Sequence, residues 1–516
     1  MLVDDFLARS AERFPEKVAL VADGRRLTYA ELDLAADRFA RGLRARGLER
    51  GDRVAVYLEN TPEAVVALFG ALRADGVFMV INPTTKPDKL AFILDDAEAR
   101  VLVTDGPKLE AARERLASVP GLSAVVVTGP VGSSLDGLPV TSFEELIESA
   151  QGRGSPVRRS IDIDLAALIY TSGSTGSPKG VMMTHLNIVT AARSITTYLR
   201  NTPDDVILNV LPLSFDYGLY QVLMAFLVGA TVVLERGFAY PRVLIQRLID
   251  ERVTGLPIVP TISAILLKMD LGRYHLPALR YITNTAAAWP TRHILELRRA
   301  FPQAELFSMY GLTECKRVSY LPPSELDTRP DSVGIPIPNT EAYVVDEAGS
   351  RVPPGTVGEL VVRGAHVMKG YWRRPAETEA ALAPGPLPGE RVLRTGDLFR
   401  TDADGYLYFV GRKDDIIKTR GEKVSPREVE NVLHDLDGIS EAAVIGVPDP
   451  VLGERIKAVV TLKDGARLTE RDIQRHCRAR LEDFMVPQVI EIRESLPRTS
   501  TGKVDKRELR AAAGRP

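Results

Sequence analysis

The sequence contains little cysteine and no excess of charge of either sign. Of its 516 residues only 2 are cysteine, Cys315 and Cys477. A disulfide framework of the kind that holds small secreted domains together is therefore excluded. The 66 basic and 68 acidic side chains give a formal net charge of -2, which argues against a nucleic-acid or membrane-surface protein. The chain is long enough to bury a large core.

A long apolar run and a secretion signal are also missing from the sequence. The most apolar stretch, residues 222–234, is too short to cross a bilayer and contains Gly229. Residues 1–5 lack the basic side chains that open a signal peptide. We therefore expect a cytoplasmic protein with reduced thiols.

The sequence does contain a stretch rich in glycine and hydroxyl side chains, residues 171–180, directly after an apolar run that predicts a buried strand. Glycine lets the backbone approach a ligand closely, and neighbouring amides can point at one anion. This favours a polyphosphate cradle over a flexible linker, which rarely follows a buried strand. It is not a Walker A loop, because Lys179 precedes Gly180 rather than Ser or Thr. The cradle residues are Thr171, Ser172, Gly173, Ser174, Thr175, Gly176 and Lys179.

Strand and helix patterns alternate along the first part of the chain, which predicts a largely parallel sheet with helices on its faces. Residues 129–160, rich in Gly, Ser and Pro, are expected to be a connecting loop. Near the other end, Ser-Pro-Arg-Glu at 425–428 predicts a capping box that opens a helix to about residue 433. The predicted strands of the first part are 53–58, 76–81, 100–104 and 124–128, and its helices are 28–43 and 62–72.

Three later segments place polar side chains beside glycine. A carboxylate such as Asp397 can accept both hydrogens of a ribose diol. A carboxylate such as Glu314 provides the oxygen ligands that Mg²⁺ prefers. Lys503 lies on a glycine-containing loop, from which a lysine can reach into a cleft. The segments are Tyr310-Gly-Leu-Thr-Glu314, Arg394-Thr-Gly-Asp397 followed by Phe409-Val-Gly-Arg412, and Pro497-Arg-Thr-Ser-Thr-Gly-Lys503.

Together with the cradle, these segments stand in the order found in the adenylate-forming superfamily. That superfamily includes acyl-CoA synthetases, non-ribosomal peptide adenylation domains and firefly luciferase, and the chain resembles it over nearly its whole length. The resemblance implies an α/β fold with a large N-terminal adenylation core of βα-layered sheets, residues 1–410. A small α+β lid, residues 411–516, would turn about a hinge at Asp414. The resemblance also implies the use of ATP and Mg²⁺.

The same resemblance assigns roles to individual residues. Tyr310 would stack on adenine, Asp397 would bind ribose, and Arg412 would contact the nucleotide. Ala286 and Ala287 stand where the family has a glycine-rich, adenine-contacting segment, and their small side chains still allow a flat base to approach. The residues implied in catalysis are Lys503, Thr313, which would bond the α-phosphate, and Glu314, which would hold Mg²⁺.

The binding site for the acid is expected around Asp216. This residue lies in an apolar neighbourhood, where an unpaired charge is costly. A substrate ammonium could be its partner, since an Asp after a Phe binds the amine in amino-acid-activating relatives; the alternative is a helix cap. Lys316 and Arg317 are either a solvated pair or pocket residues that hold a second carboxylate. The candidate substrate-binding residues are Phe215, Asp216, Thr285, Met309, Gly311, Lys316 and Arg317.

These assignments predict an enzyme that activates an amino acid, including β-amino and dicarboxylic ones, as acyl-AMP. It would then load the phosphopantetheine thiol of a separate carrier protein in natural-product biosynthesis. The alternative is an acyl- or aryl-CoA synthetase that uses free CoA. A non-catalytic adenylate-binding protein is disfavoured, because the charged catalytic positions are present. The residues expected at the thioester step are Lys418, Gly421 and Glu422.

Overall fold

The computed structural model describes most of the chain, and every statement below concerns those residues. They are 1–130, 137–150, 156–172, 178–238, 240–285, 289–413, 415–419, 422–449, 452–499 and 503–513. The helices are α1 Asp5–Arg13, α2 Tyr29–Ala45, α3 Pro62–Arg73, α4 Pro87–Asp96, α5 Gly106–Leu116, α6 Phe143–Glu148, α7 His185–Leu199, α8 Asp216–Val228, α9 Pro241–Asp250, α10 Pro260–Leu266, α11 Thr291–Ala300, α12 Pro375–Ala381, α13 Pro426–His434, α14 Glu470–Arg478 and α15 Lys506–Ala513.

The strands belong to four sheets. In chain order they are β1 Val18–Ala22, β2 Arg25–Thr28, β3 Arg53–Tyr57, β4 Val77–Val80, β5 Ala99–Asp105, β6 Ala124–Thr128, β7 Val140–Ser142, β8 Leu165–Ser172, β9 Pro178–Thr184, β10 Val206–Asn209, β11 Thr231–Leu234, β12 Gly255–Ile258, β13 Tyr281–Asn284, β14 Glu305–Tyr310, β15 Ser319–Tyr320, β16 Ile335–Pro336, β17 Glu341–Val345, β18 Gly358–Arg363, β19 Gly370–Tyr371, β20 Leu382–Pro384, β21 Arg391–Thr401, β22 Leu407–Arg412, β23 Ile417–Thr419, β24 Glu422–Val424, β25 Ile439–Asp449, β26 Gly453–Leu462 and β27 Val489–Arg493.

An eight-stranded sheet has the order β19-β9-β8-β4-β3-β5-β6-β7 and is parallel from β8 to β7. Side chains alternate across it: Val54 and Val56 join one hydrophobic cluster, whereas Ala55 and Tyr57 join another. Because both faces are covered, its central strands are apolar throughout. This confirms the parallel sheet expected for the first part of the chain.

A nine-stranded sheet has the order β16-β15-β14-β13-β12-β10-β11-β1-β2, with a parallel centre. Residues from both large sheets and from α2, α3, α7 and α8 form one hydrophobic cluster. Helix α3 is buried along nearly its whole length. The α/β architecture, with its buried helices, therefore brings the ends of β13 and β14 and the start of α8 into one core domain.

Two smaller sheets carry the rest of the chain. Strands β17, β18, β20, β21 and β22 form an antiparallel sheet whose last strand ends at Arg412. The lid sheet begins at Ile417 and has the order β24-β23-β26-β25, with β27 beside β26. In the described part of the chain, no helix is both long and apolar enough to cross a membrane.

Two local expectations are wrong. The region 129–160, expected to be a loop, contains β7 and α6. Helix α6 forms because the Ser142 side chain caps it by accepting from the Glu145 N–H, and because Phe143 and Leu146 are buried in the core. Within the described chain, Ser425 makes no side-chain cap for α13; its hydroxyl donates to the carbonyl of Val410 instead. A tertiary hydrogen bond has replaced the local one that the pattern predicts.

Candidate active site

The polyphosphate cradle lies in a hairpin. Strands β8 and β9 pair antiparallel, with Thr171 opposite Lys179; β9 was not expected from the sequence. The Lys179 ammonium lies 3.9 Å from Glu377 Oε1 and 5.6 Å from the centre of the Tyr371 ring. Gly173, Ser174, Thr175 and Gly176 lie outside the described residues, as does the side chain of Ser172. The structure thus describes the two strands and the lysine.

The Thr-Glu motif follows β14, and Gly311 lies where the chain folds tightly on itself. A Cβ at Gly311 would lie 2.3 Å from the carbonyl oxygen of Lys316, so a side chain would clash with backbone. Thr313 and Glu314 stay partly exposed. Tyr371 donates a hydrogen bond to Glu314 Oε1 at 2.8 Å. Burial, reinforced by the charge of Glu314, raises the pKa of Tyr371, so its hydroxyl remains a donor.

Asp397 lies at the centre of the predicted ribose site. It is 3% exposed, accepts a hydrogen bond from the Tyr310 hydroxyl at 2.5 Å on Oδ2, and has Arg412 Nε 3.3 Å from Oδ1. Oδ1 accepts no hydrogen bond from any described residue. Burial raises the pKa of Asp397, while Arg412 and Tyr310 oppose that rise. An oxygen without a hydrogen-bond donor suits a ribose hydroxyl.

Tyr310 therefore binds the carboxylate of Asp397 through its hydroxyl. Its ring packs against Phe399 and Phe409, at 4.8 and 6.2 Å between ring centres. Stacking of Tyr310 on adenine stays a prediction. Ala286 and Ala287 lie outside the described residues.

The acid pocket contains a buried ion pair. Asp216 is the first residue of α8, and Lys316 Nζ lies 3.6 Å from its Oδ2, with the two residues 8% and 4% exposed. Burial lowers the pKa of Lys316 to about 7, although Asp216 counteracts this. Lys316 adopts a left-handed backbone conformation, φ 63°, an uncommon conformation for a residue with a side chain. Asp216 thus has a partner within the protein, Lys316, whereas the sequence pattern had suggested only a substrate ammonium or a helix cap.

Arg317 lies beside this pair and is buried without an acidic partner among the residues that the structure describes. It is 2% exposed, and its guanidinium carbon lies 5.3 Å from the centre of the Tyr217 ring. Its Nε and Nη1 make no hydrogen bond within the described chain. Tyr217 and Tyr220 also face Lys316, at 5.3 and 4.5 Å from ring centre to ammonium. The solvated alternative for Lys316 and Arg317 is therefore wrong.

The other predicted substrate-binding residues lie in the same part of the core. Phe215 is partly buried and packs edge-on against Tyr217, 6.1 Å between ring centres. Thr285 and Met309 are buried, and the Tyr198 hydroxyl contacts the sulfur of Met309 at 3.0 Å. Phe215, Thr285 and Met309 would therefore contribute uncharged polar and apolar side chains to the lining of the predicted acid pocket.

Lys503 joins these parts from the lid. The residue is exposed at the surface, and desolvation of its ammonium by surrounding protein atoms is the main cause of its lowered pKa. The charges of Asp216, Asp397 and Glu314 all act on this ammonium and oppose that lowering. The predicted acid-binding, ribose-binding and metal-binding carboxylates thus all lie within electrostatic range of one lysine.

The residues expected at the thioester step lie elsewhere on the lid. Lys418 and Glu422 are exposed on the hairpin of β23 and β24, and the Lys418 backbone N–H donates to Glu454. Asp414 and Gly421 lie outside the described residues. Their roles stay predictions.

Sequence reasoning missed the tyrosines that surround the charged groups: Tyr371 beside Glu314, and Tyr217 and Tyr220 beside Lys316. The spacing of Tyr217 and Tyr220, directly after Asp216 and one helical turn apart, was the available signal. No sequence signal pointed to Tyr371, because the tertiary structure brings it to Glu314 from a distant part of the chain, on strand β19, which pairs with β9.

Two protein-family models match this chain, one in each of its two domains. Residues 7–372 match the model of the AMP-binding enzyme family, and residues 428–503 match the C-terminal domain of AMP-binding enzymes. The first match covers most of the large N-terminal domain, and the second lies within the small C-terminal domain.

Individual relatives cover nearly the whole chain. It is 32% identical to a long-chain-fatty-acid–CoA ligase of Bacillus subtilis, over 98% of this chain and 94% of that protein. It is also 32% identical to a linear gramicidin synthase protein of Brevibacillus parabrevis, over 99% of this chain and 6% of that protein. The ATP-bound structure of MatB from Rhodopseudomonas palustris superimposes with a TM-score of 0.89 at 31% identity, covering 99% of each chain. This chain belongs to the AMP-binding enzyme family, the adenylate-forming ligases that activate a carboxylic acid with ATP as acyl-AMP.

Proposed function

We propose that this enzyme activates an amino acid carrying a second acidic group, and that it passes the acyl group to the phosphopantetheine thiol of a separate carrier protein. The observation that carries the substrate proposal is Arg317, buried beside the Lys316–Asp216 pair with two nitrogens that make no hydrogen bond to described residues. Of these three charged residues two are cationic and one is anionic. A buried excess of positive charge is costly unless an anion joins it.

A substrate carboxylate fits that excess. A guanidinium presents paired N–H donors in the geometry that a carboxylate accepts, and such bonds are stronger than neutral ones. The aromatic faces of Tyr217 and Tyr220 keep the cations away from bulk water without neutralising them. The pocket therefore favours an acid whose second carboxylate reaches Arg317.

The substrate ammonium of this proposal would bind the carboxylate of Asp216. Lys316 already pairs with Asp216 at 3.6 Å, so a substrate amine would have to share the carboxylate with it. A carboxylate can accept several donors at once. A dicarboxylic acid without an amine is the competing substrate, and the two differ only in their demand on Asp216.

The residues of the site suit acyl-adenylate chemistry. The reacting carboxylate is ionised at neutral pH and attacks the α-phosphorus of ATP without a general base, and pyrophosphate leaves as the bond between the α- and β-phosphates breaks. Lys503 and Lys179 stabilise the charge on the phosphate oxygens. Glu314, held by Tyr371, would bind Mg²⁺, which neutralises phosphate charge. Mg²⁺ bound to a nucleotide is commonly held by one or two carboxylates together with the phosphates.

The second half-reaction needs the lid in another position. We propose that the lid, residues 411–516, turns about Asp414, withdraws Lys503, and brings Lys418, Gly421 and Glu422 to the site. Single-hinge domain motions of this kind are common.

A second acceptor, free CoA, is favoured by a different observation. The Bacillus subtilis relative, which matches this chain nearly end to end, is a CoA ligase. The gramicidin synthase protein, equally identical, is matched over a small share of its length. Identity alone therefore does not separate an acyl- or aryl-CoA synthetase from a carrier-loading enzyme.

The deciding experiment compares three acids that differ by one group. Pyrophosphate release with MgATP is measured for an amino dicarboxylic acid, its desamino analogue and its monocarboxylic amino analogue. The proposal expects the highest kcat/KM for the amino dicarboxylic acid. A fatty acid and an aryl acid are measured beside these three, and turnover confined to the fatty or aryl acid would exclude both the second carboxylate and the amine from recognition.

The same panel is repeated with Arg317→Met. We expect about a 100-fold loss of kcat/KM for the two dicarboxylic acids, the scale for removing one partner of a buried charge pair. The monocarboxylic amino acid should change by less than about threefold. Arg299→Met, at an exposed position, is the matched control. Equal losses for all three acids would remove Arg317 from substrate recognition.

The acceptor is tested with acyl-AMP supplied directly. Thioester formation is followed by mass spectrometry with free CoA and with phosphopantetheinylated carrier proteins. A rate with CoA at or above the rate with every carrier would replace carrier loading by CoA ligation and leave the acid assignment untouched.

A further inference from the structure

The segment that carries Lys503 is a small hairpin. The Thr499 N–H donates to the Lys503 carbonyl at 2.8 Å, the Asp505 N–H donates to the Pro497 carbonyl at 2.8 Å, and Arg498 pairs with Val504. These bonds link the two arms of the hairpin on either side of residues 500–502, which lie outside the described part of the chain. The position of the lysine therefore follows the orientation of this hairpin.

Arg498 connects the hairpin to both domains. Its Nη1 donates to Thr261 Oγ1 at 3.0 Å, and its Nη2 pairs with the Glu441 carboxylate. Thr261 lies in α10 of the core, whereas Glu441 lies in β25 of the lid. One guanidinium thus bridges the cleft at the base of the segment that holds Lys503.

The two contacts of Arg498 differ in what a lid rotation would do to them. Arg498 and Glu441 both belong to the lid and would move together. Thr261 belongs to the core, so its hydrogen bond exists only while the lid faces the core as it does here. A second cross-domain contact, Arg292 to Asp437 at 3.7 Å, ends on a carboxylate that is 92% exposed, where ion pairs contribute little.

We propose that Arg498 is a positioning residue for the acyl-adenylate step: anchored by Glu441, it uses Thr261 to hold the Lys503 hairpin over the active site. The proposal rests on the catalytic role proposed for Lys503. The Thr261 bond stabilises one lid position and not the other, and so it biases the equilibrium between them.

The test uses the isosteric variant Thr261→Val and the conservative variant Thr261→Ser. Acyl-adenylate formation is measured as single-turnover pyrophosphate release, and thioester formation is measured from supplied acyl-AMP. Losing this one exposed hydrogen bond should slow pyrophosphate release by up to about fivefold, while thioester formation stays equal or becomes faster. Thr261→Ser keeps the hydroxyl and should restore the wild-type rate.

Arg498→Met should give a larger loss in the same half-reaction. Thr261→Val keeps the proposal testable even if Arg498→Met does not fold. A fluorophore pair, one on the core and one on the lid, should report a shift away from the closed position in MgATP for Thr261→Val and none for Thr261→Ser. Equal effects of Thr261→Val on both half-reactions, or no effect on either, would overturn the proposal.

A parallel measurement on Lys503→Ala separates the two assignments. If Lys503→Ala retains wild-type pyrophosphate release, the catalytic role of the lysine is wrong. If Lys503→Ala loses pyrophosphate release and Thr261→Val does not, the catalytic role of Lys503 is retained and the positioning role of Arg498 is wrong.

Discussion

The nucleotide side and the acid side of this active site balance their charges differently. On the nucleotide side each charged group has an opposite charge or a hydrogen-bond donor. Asp397 contacts Arg412 and Tyr310, and Glu314 accepts from Tyr371. In the acid pocket Lys316 pairs with the carboxylate of Asp216, whereas the buried guanidinium of Arg317 has no acidic partner among the described residues.

This difference teaches how one fold separates general chemistry from selectivity. The nucleotide side binds a ligand that every family member uses, so its groups can be held in place before ATP arrives. The acid pocket has to discriminate, and an unbalanced buried charge rejects substrates that cannot neutralise it. Under the proposed assignments, reaction type is encoded on one side and substrate choice on the other.

The strongest test of this comparison removes the lysine that the charges of both sides act upon. Lys503→Ala should lower pyrophosphate release by about a thousandfold or more, since the ammonium acts on charge that develops in the transition state. Thioester formation from supplied acyl-AMP should be spared. Lys506→Ala, which loses a lid lysine paired with Glu430 at 2.6 Å, serves as control. A comparable loss of both half-reactions would contradict the proposed lid switch.

The next largest effect is expected from a variant of the acid pocket, Asp216→Ala. Asp216→Ala should cost an amine-bearing substrate roughly 3 kcal/mol in kcat/KM, the scale for breaking a buried ion pair. The desamino analogue should be nearly unaffected by comparison. If kcat/KM falls equally for both substrates, Asp216 serves only to hold Lys316, and the proposed binding of a substrate ammonium is wrong.

The pH dependence sharpens the comparison further. Burial lowers the pKa of Lys316 to about 7, so its ammonium is charged below that pH and loses its proton above it. The preference for a dicarboxylic over a monocarboxylic amino acid, taken as a ratio of kcat/KM, should therefore fall as pH rises, by about tenfold between about pH 6 and pH 8. The ratio for Lys316→Met should stay flat, and a wild-type ratio that rises would contradict the assignment.

The smallest expected effect concerns the nucleotide side alone. Tyr371→Phe removes the donor that orients Glu314 and should weaken Mg²⁺ use by about 1 kcal/mol. The measurement is the Mg²⁺ concentration at half-maximal pyrophosphate release, together with Mg²⁺-dependent ATP binding by calorimetry. Tyr408→Phe loses a similar bond to Asp402, at 3.1 Å, away from the site. Identical shifts in both variants would mean that Tyr371 has no special role.

Much of the fold could be predicted because it follows local patterns. Apolar runs and alternating helices predicted strands β3 to β6 and their parallel direction, and Thr28 caps α2 as expected. The failures came where distant partners overrode a local signal. The hydroxyl of Ser425 bonds Val410 rather than its own helix, and α6 forms inside a stretch whose composition indicated loop.

The candidate site divides in the same way. The Tyr-Gly-x-Thr-Glu and Thr-Gly-Asp segments named Glu314 and Asp397 from sequence, because glycine turns and acidic residues mark them locally. No pattern could show that Lys316 is the partner of Asp216, since the contact joins α8 to the turn after β14. Nor could the sequence show that Arg317 is buried beside that pair, against the ring of Tyr217.

The sequence by itself determined the type of chemistry, since the groups that bind ATP lie in short contiguous motifs whose residue types already state their function. The tertiary structure alone decided which charges meet. Burial makes an ion pair or an unpaired guanidinium consequential, and burial depends on how distant strands and helices pack. Arg498 illustrates this: in the sequence it is one arginine before a lysine loop, and in the fold it spans from Thr261 to Glu441.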